Sequence, residues 1–275
     1  MLKAIQKQAL EHAAQQSCNT PLGSKCSLTI NFHPDRTTLS GQPLLAVMAA
    51  DGHLKSQFET GTSNGGLSAH VGGERWQWED KAFGGIYNHC AASERPVYGA
   101  LNYQHHPAGA CPRFGSSYFR LRPEVLARSS FCYPDSYFNP QDYSDISGVG
   151  HLVALAKQSA EDALDVYVEA QIHGTVELAR DVEALVLDPC FKDTEVEVLA
   201  RQLPCQLEWH AGFAITTEAL WQYPHYRGLQ YLRLAEQIAE QGVLNPLVIG
   251  EALERFDAQD LKKVWHYLAR FGYRG

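Results

Sequence analysis

The chain has 275 residues, 45% of them hydrophobic and 20% charged, with a formal net charge of -8. That length and balance specify a globular protein with a sizeable core, in one large domain or a domain plus an appendage. The acidic balance argues against a general nucleic-acid binder, which needs clustered Lys and Arg to neutralise phosphates. No run of about 18 apolar residues and no signal-peptide pattern is present, so no membrane segment is expected. The seven cysteines form no C-x-x-C pair. Reduced thiols in a cytoplasmic protein are the simplest reading; an effector exported without a cleaved signal peptide would look the same.

In chain order, Leu2, Ile5, Ala9 and Leu10 fall at helical spacing, which predicts a helix over residues 2–16. Ser27 to His33 alternates as a strand, with Leu28, Ile30 and Phe32 on one face and Thr29, Asn31 and His33 on the other. Pro34 stops the ladder and leaves His33, Asp35 and Arg36 at its mouth. Leu44 to Ala50 suits a short helix ended at Gly52. SQFETGTSNGGLSAH, residues 56–70, reads as a loop whose backbone can approach a ligand closely. Trp76 and Trp78 alternate with polar neighbours, as in a strand or extended edge. Val97 to Asn102 is a short strand, and Phe114 to Arg122 alternates again. Arg113, Arg120, Arg122 and Arg128 suit either an acidic ligand or a solvated strand face. Phe131 to Tyr143 reads as irregular, and Ile146 to Leu164 as helix.

Asp165 to Pro189 reads as two strands with a turn between them. Val166, Val168, Ala170 and Ile172 alternate with Tyr167, Glu169, Gln171 and His173, so a carboxylate, an amide and an imidazole share one face. Val182 to Leu187 is apolar on both faces, as a buried strand is. One more strand is expected near Trp209 to Thr216. Helical spacing then takes over at Tyr231, Leu232, Ala235 and Ile238. Asp257 resembles an N-cap before the stripe Leu261, Val264, Trp265 and Leu268. The predicted organisation is an N-terminal helix and loop (1–26), an α/β catalytic-like core (27–216) and a C-terminal helical subdomain (217–275).

The segments NFHPDR, SQFETGTSNGG, RPVYGALN, PRFGSSYFRLRPEVLARSSF and YVEAQIHG, in this order, resemble an uncharacterised bacterial family, DUF3626, over roughly residues 27–200. More distantly, a strand ending in His or Arg, a helix, a Ser/Thr-rich loop and a later strand bearing Glu resemble the mono-ADP-ribosyltransferases. That resemblance implies an α+β fold with a split β-sheet core holding NAD in a cleft, flanked by the N-terminal helix and the C-terminal helical region. It implies that His33 or Arg36 binds NAD, with Thr60, Thr62 and Ser63, or Tyr98 as the aromatic variant, lining the nicotinamide pocket. It implies catalytic Glu169 with Gln171 beside it. Here Gln171 follows Glu169, whereas a common toxin pattern puts the partner two residues before.

The expected function is transfer of ADP-ribose from NAD to a side chain of a protein target, with no nucleic-acid or membrane partner and no metal. Two alternatives stand beside it. One is a metal-dependent hydrolase using His33, Asp35, His105 and His106. The other is a non-catalytic nucleotide- or protein-binding module.

Overall fold

The computed structural model describes residues 2–62 and 66–275. Helix α1 (Ala4–Gln15) opens the chain, followed by strand β1 (Ser27–Phe32). Next come α2 (Leu44–Asp51), β2 (His53–Leu54), α3 (Gln57–Thr60) and α4 (Glu74–Ala82). Gly52 closes α2 in the left-handed conformation, with φ of 69°, which a glycine adopts without a Cβ clash. Strands β3 (Val97–Asn102), β4 (Ser117–Leu121), β5 (Ser129–Tyr133) and β6 (Asp142–Ser144) follow, then α5 (Val149–Gln158). After them run β7 (Val168–Ile172), β8 (Val176–Glu177), α6 (Leu178–Asp181), β9 (Val182–Leu187), α7 (Glu195–Ala200) and β10 (Gln206–Trp209). The C-terminal part comprises β11 (Ile215–Thr216), α8 (Thr217–Leu220), α9 (Leu229–Ile238), β12 (Val243–Leu244), α10 (Pro246–Glu251) and α11 (Ala258–Phe271).

The class is α+β, with one large sheet and a helical C-terminal region. Eight strands hydrogen-bond in the order β10-β9-β4-β1-β3-β7-β5-β6. β10 and β9 pair in parallel; the other neighbours are antiparallel. The hydrogen bonding is continuous across all eight, where a split pair of sheets was expected. β7 and β9 do not form a hairpin: β3, β1 and β4 stand between them. The turn after β7 instead sends β8 out to pair with β2, and α6 then returns the chain to the far half of the sheet.

The sheet has two unlike faces. Leu28, Phe32, Leu101, Phe119, Val168, Ala170, Ile172 and Leu185 belong to one apolar core with Leu152, Val153 and Ala156 of α5. Phe32 and Phe119 stack at 4.8 Å within it. Fully burying a Val, Leu, Ile or Phe side chain there contributes about 1.5–3 kcal/mol. The opposite face carries Thr29, Asn31, Tyr98, Glu169 and Gln171, in the register Tyr98↔Gln171 and Ala100↔Glu169. α1 and α4 cover the β5–β6 end of that face, where Ala9, Trp78, Ala82 and Cys132 cluster. A separate core built on Leu232, Ala235, Leu261, Val264, Trp265 and Leu268 holds α9 and α11 together. Asp257 caps α11 by accepting from the backbone N–H groups of Gln259 and Asp260.

Two local expectations are corrected. Trp76 and Trp78 lie in helix α4, not in a strand. Its buried residues Arg75, Trp78, Glu79 and Ala82 have i, i+3, i+4, i+7 spacing, with charged residues at two of the four inward positions. The segment Phe131 to Tyr143 is not irregular throughout, since β5 and β6 pair Phe131 with Ser144 and Tyr133 with Asp142. Among the described residues no helix is long and apolar enough to cross a membrane. All seven cysteines are free.

Candidate active site

Glu169 and Gln171 of β7 and His173 just past its end project from one face, as alternation requires, and that face is buried: they are 6%, 0% and 0% exposed. Buried polar groups must find partners, and these find one another. Gln171 Nε2 donates to Glu169 Oε1 at 3.0 Å, and Ser130 Oγ donates to Gln171 Oε1 at 2.9 Å. Ser130 has one hydroxyl proton, already given to Gln171, so its 2.9 Å contact with His173 Nε2 requires that nitrogen to be the donor. His173 Nδ1 is then an acceptor for the Tyr87 hydroxyl at 2.7 Å. Burial, with Arg128 nearby, lowers the His173 pKa to about 3, in keeping with a neutral ring.

The other carboxylate oxygen is held from a different direction. Ser136 Oγ donates to Glu169 Oε2 at 2.7 Å and itself accepts from Arg75 Nη1 at 2.6 Å. The Ser136 backbone N–H also reaches Oε2, at 3.3 Å. Arg75 Nη1 lies 4.0 Å from Glu169 Oε1. Every hydrogen bond to the two oxygens is therefore accepted by the carboxylate, the pattern of its ionised form. Burial nonetheless raises the Glu169 pKa above the ordinary carboxylate range; Arg75 opposes the rise, Asp135 adds to it, and the bonds from Ser136 and Gln171 oppose it.

Glu169 borders an open cleft over the central strands. Its floor is Thr29 and Asn31 of β1 with Tyr98 and Ala100 of β3. Its walls include Arg75, Arg113, Phe114, the Asp135–Tyr137 segment and Tyr167. The Arg75 guanidinium lies 4.1 Å from the Tyr98 ring centroid, and its Nε donates to Gln57 Oε1 at 3.1 Å. Tyr167 donates its hydroxyl to Asp135 Oδ2. Beneath α4, Tyr98 donates to Glu79 Oε1 at 2.7 Å, and Glu79 is ion-paired with Arg95. The cleft thus presents two fixed carboxylates, Glu169 and Asp135, two guanidiniums and several aromatic rings.

The sequence-derived candidates are distributed unevenly around it. Glu169 and Tyr98 line the cleft; Gln171 lies one layer behind, in contact with Glu169 rather than with the space. His33 and Arg36 do not line it. Pro34 ends the ladder past Phe32, so β1 offers the cleft Thr29 and Asn31 instead. His33 packs edge-on against Trp265 at 4.8 Å, and burial lowers its pKa to about 3. Arg36 faces Asp35, whose carboxylate touches Gly250 of α10. Thr60 ends α3 and bonds its own helix through Ser56 O and Gln57 O, while Thr62 donates to Thr60; neither lines the cleft. Ser63 lies outside the described residues. His106 packs against Tyr273 at 5.2 Å, and Asp35 sits by α10. Among the described residues no three His, Cys, Asp or Glu side chains are disposed to hold a metal ion.

Arg75, Ser136 and Asp135 were not anticipated. Arg75 was hidden by the strand reading of its segment, although its place four residues before Glu79 and three before Trp78 marks one helix face. Ser136 and Asp135 fall in an aromatic, Pro-flanked segment whose sequence has no period to read.

No curated protein matches the chain. The family described as a protein of unknown function (DUF3626) matches residues 27–155 and 149–271. Those residues run from β1 to the end of α11 and include every wall of the cleft, so the chain belongs to the DUF3626 family.

Proposed function

We propose that the chain is an NAD-dependent mono-ADP-ribosyltransferase that transfers ADP-ribose to a protein side chain, with Glu169 as its catalytic carboxylate. The observation that carries the reading is the seating of Glu169: a buried carboxylate on a central strand, fixed by Ser136, Gln171 and Arg75, at the edge of an aromatic-lined cleft. Loss of nicotinamide from NAD develops oxocarbenium-like positive charge on the ribose. A carboxylate already oriented toward that charge stabilises the transition state more than the ground state. Glu169 would also orient the attacking nucleophile. On this reading NAD is bound as the substrate between Tyr98 and the Phe114–Tyr167 wall, with Arg75 and Arg113 as the cations of the cleft in place of His33 and Arg36. Gln171 positions Glu169 from behind.

The test is incubation with labelled NAD and candidate protein acceptors. Nicotinamide release or label transfer is expected, reduced about a hundredfold or more in Glu169→Gln. Absence of both, or full activity in that variant, overturns the reading; tight NAD binding without turnover would favour a binding module.

A further inference from the structure

Around Arg113, which lines the cleft, cationic side chains from three separate segments converge. Arg113 comes from the turn Pro112–Phe114, Arg227 from the stretch before α9, and Lys262 and Lys263 from the first turns of α11. Arg113 and Arg227 share one carboxylate: both pair with Asp165, Arg227 at 3.1 Å. The two guanidiniums are 22% and 21% exposed, so the cluster is open enough for a small ligand to reach. The like charges are felt locally. Burial lowers the pKa of Lys262, and Arg113 and Lys263 lower it further; burial, Arg227 and Arg113 do the same for Lys263. Among the described residues, two buried polar groups at the cluster also have no hydrogen-bond partner: Arg227 Nε, and both ring nitrogens of His266, a residue only 1% exposed. The charges acting on His266 are those of Arg113, Arg227, Lys263 and Lys262.

Arg113 and Arg227 carry two charges against the single one of Asp165, and Lys263 adds to that excess, which attracts an anion. We propose that Arg113, Arg227, Lys262 and Lys263 form a binding site for a phosphoryl or diphosphoryl group. Two guanidinium forks pre-oriented by Asp165 match the geometry of phosphate oxygens, and two ammonium groups add point charges. A multiply charged, compact anion suits so dense a cluster better than a single carboxylate. The site gives the C-terminal region a role, since α11 and the 221–228 stretch supply three of its four cations. It does not depend on the ADP-ribosyl reading, because a free diphosphate would satisfy the same groups.

Calorimetric titration of the full chain with inorganic pyrophosphate and, separately, with ADP-ribose tests this. One-to-one binding of pyrophosphate, weakened about tenfold or more in the Arg227→Gln/Lys263→Gln double variant, is the expected result. Binding of ADP-ribose alone, equally lost in that variant, would identify the diphosphate as part of a nucleotide. Failure of both probes at millimolar concentration, or equal affinity in the variant, overturns the site. Should the variant not fold, the His266 ring resonances of the unaltered chain decide: they shift on saturation with either probe if the site is here, and stay fixed if it is not. Because pyrophosphate carries no nicotinamide bond, failure here is distinguishable from failure of the transferase reading.

Discussion

Gln171 holds Glu169 by a 3.0 Å hydrogen bond between side chains two positions apart on the same strand face. The bond stabilises the ionised carboxylate, against the burial that raises the Glu169 pKa. In Gln171→Leu that bond is lost, and the pKa rises further. On the proposed transferase reading the ionised form is the active one, so activity is lost as pH falls through this pKa, and the acid limb of the pH profile moves upward in the variant. Kcat is expected to fall about tenfold, the worth of one hydrogen bond to a charged group, with KM little changed. A purely structural Gln171 would leave the position of the acid limb unmoved.

His173 lies at the far end of the same hydrogen-bonded chain, and its tautomer follows from it. Nitrogen NMR of the ring is expected to show Nε2 protonated and Nδ1 bare, with no titration between pH 7 and 4.5. The folded pKa, about 3, is below the unfolded value of 6.5. The stability this residue contributes is thus complete above about pH 6.5 and is lost as pH falls from there toward about 3, at about 1.4 kcal/mol per pH unit. A Tyr87→Phe variant removes the donor to Nδ1. It is expected to cost about 1–3 kcal/mol in urea unfolding, the penalty for an unsatisfied buried acceptor.

Among the described residues, Arg75 is the one cation ion-paired with Glu169, with side-chain exposures of 3% and 8%. Removing one partner of such a pair leaves the other charge buried without compensation. Arg75→Gln is expected to destabilise the fold by about 3–5 kcal/mol and to push the Glu169 pKa up, so residual activity should appear only at higher pH. Arg75→Lys keeps the charge but loses the fork that reaches both Gln57 and Ser136. Its cost should be smaller in chemical denaturation, and its acid limb should stay near that of the unaltered chain.

The sheet was legible where alternation was clean. Val97–Asn102 coincides with β3, and the Glu169/Gln171/His173 face was read correctly from period two alone. Leu261, Val264, Trp265 and Leu268 marked α11 by the same logic at period 3.6. What sequence could not supply was long-range order. Nothing local to Asp165–Pro189 says that three other strands enter between its two strands. The site was half legible for a related reason. Alternation put Glu169 on one face with Gln171 and His173, and only the resemblance singled it out among them, whereas Arg75 sits on a helix whose inward face includes two charged residues, so hydrophobic period gave the wrong answer there. The basic residue at the end of β1 was misplaced because Pro34 turns the chain toward α10 and α11, away from the cleft.

Glu79 and Arg95 offer the sharpest test of that inward-facing charge. The pair is 0% and 4% exposed, and each member has further partners: Tyr98 donates to Glu79, Arg95 Nη2 donates to the Tyr87 carbonyl at 2.8 Å, and its guanidinium lies 4.0 Å from the Phe58 ring centroid. Burial raises the Glu79 pKa, and Arg95 is the largest influence opposing that rise. Glu79→Gln and Arg95→Met should each destabilise the fold by about 3–5 kcal/mol, because each strands a buried charge. The double variant strands neither. Its cost in urea unfolding should fall short of the sum of the single costs by about 2 kcal/mol or more, a coupling expected only between groups in direct contact. Additive costs would mean that Glu79 and Arg95 act separately, and that helix α4 is held by Trp78 and Ala82 rather than by its buried charges.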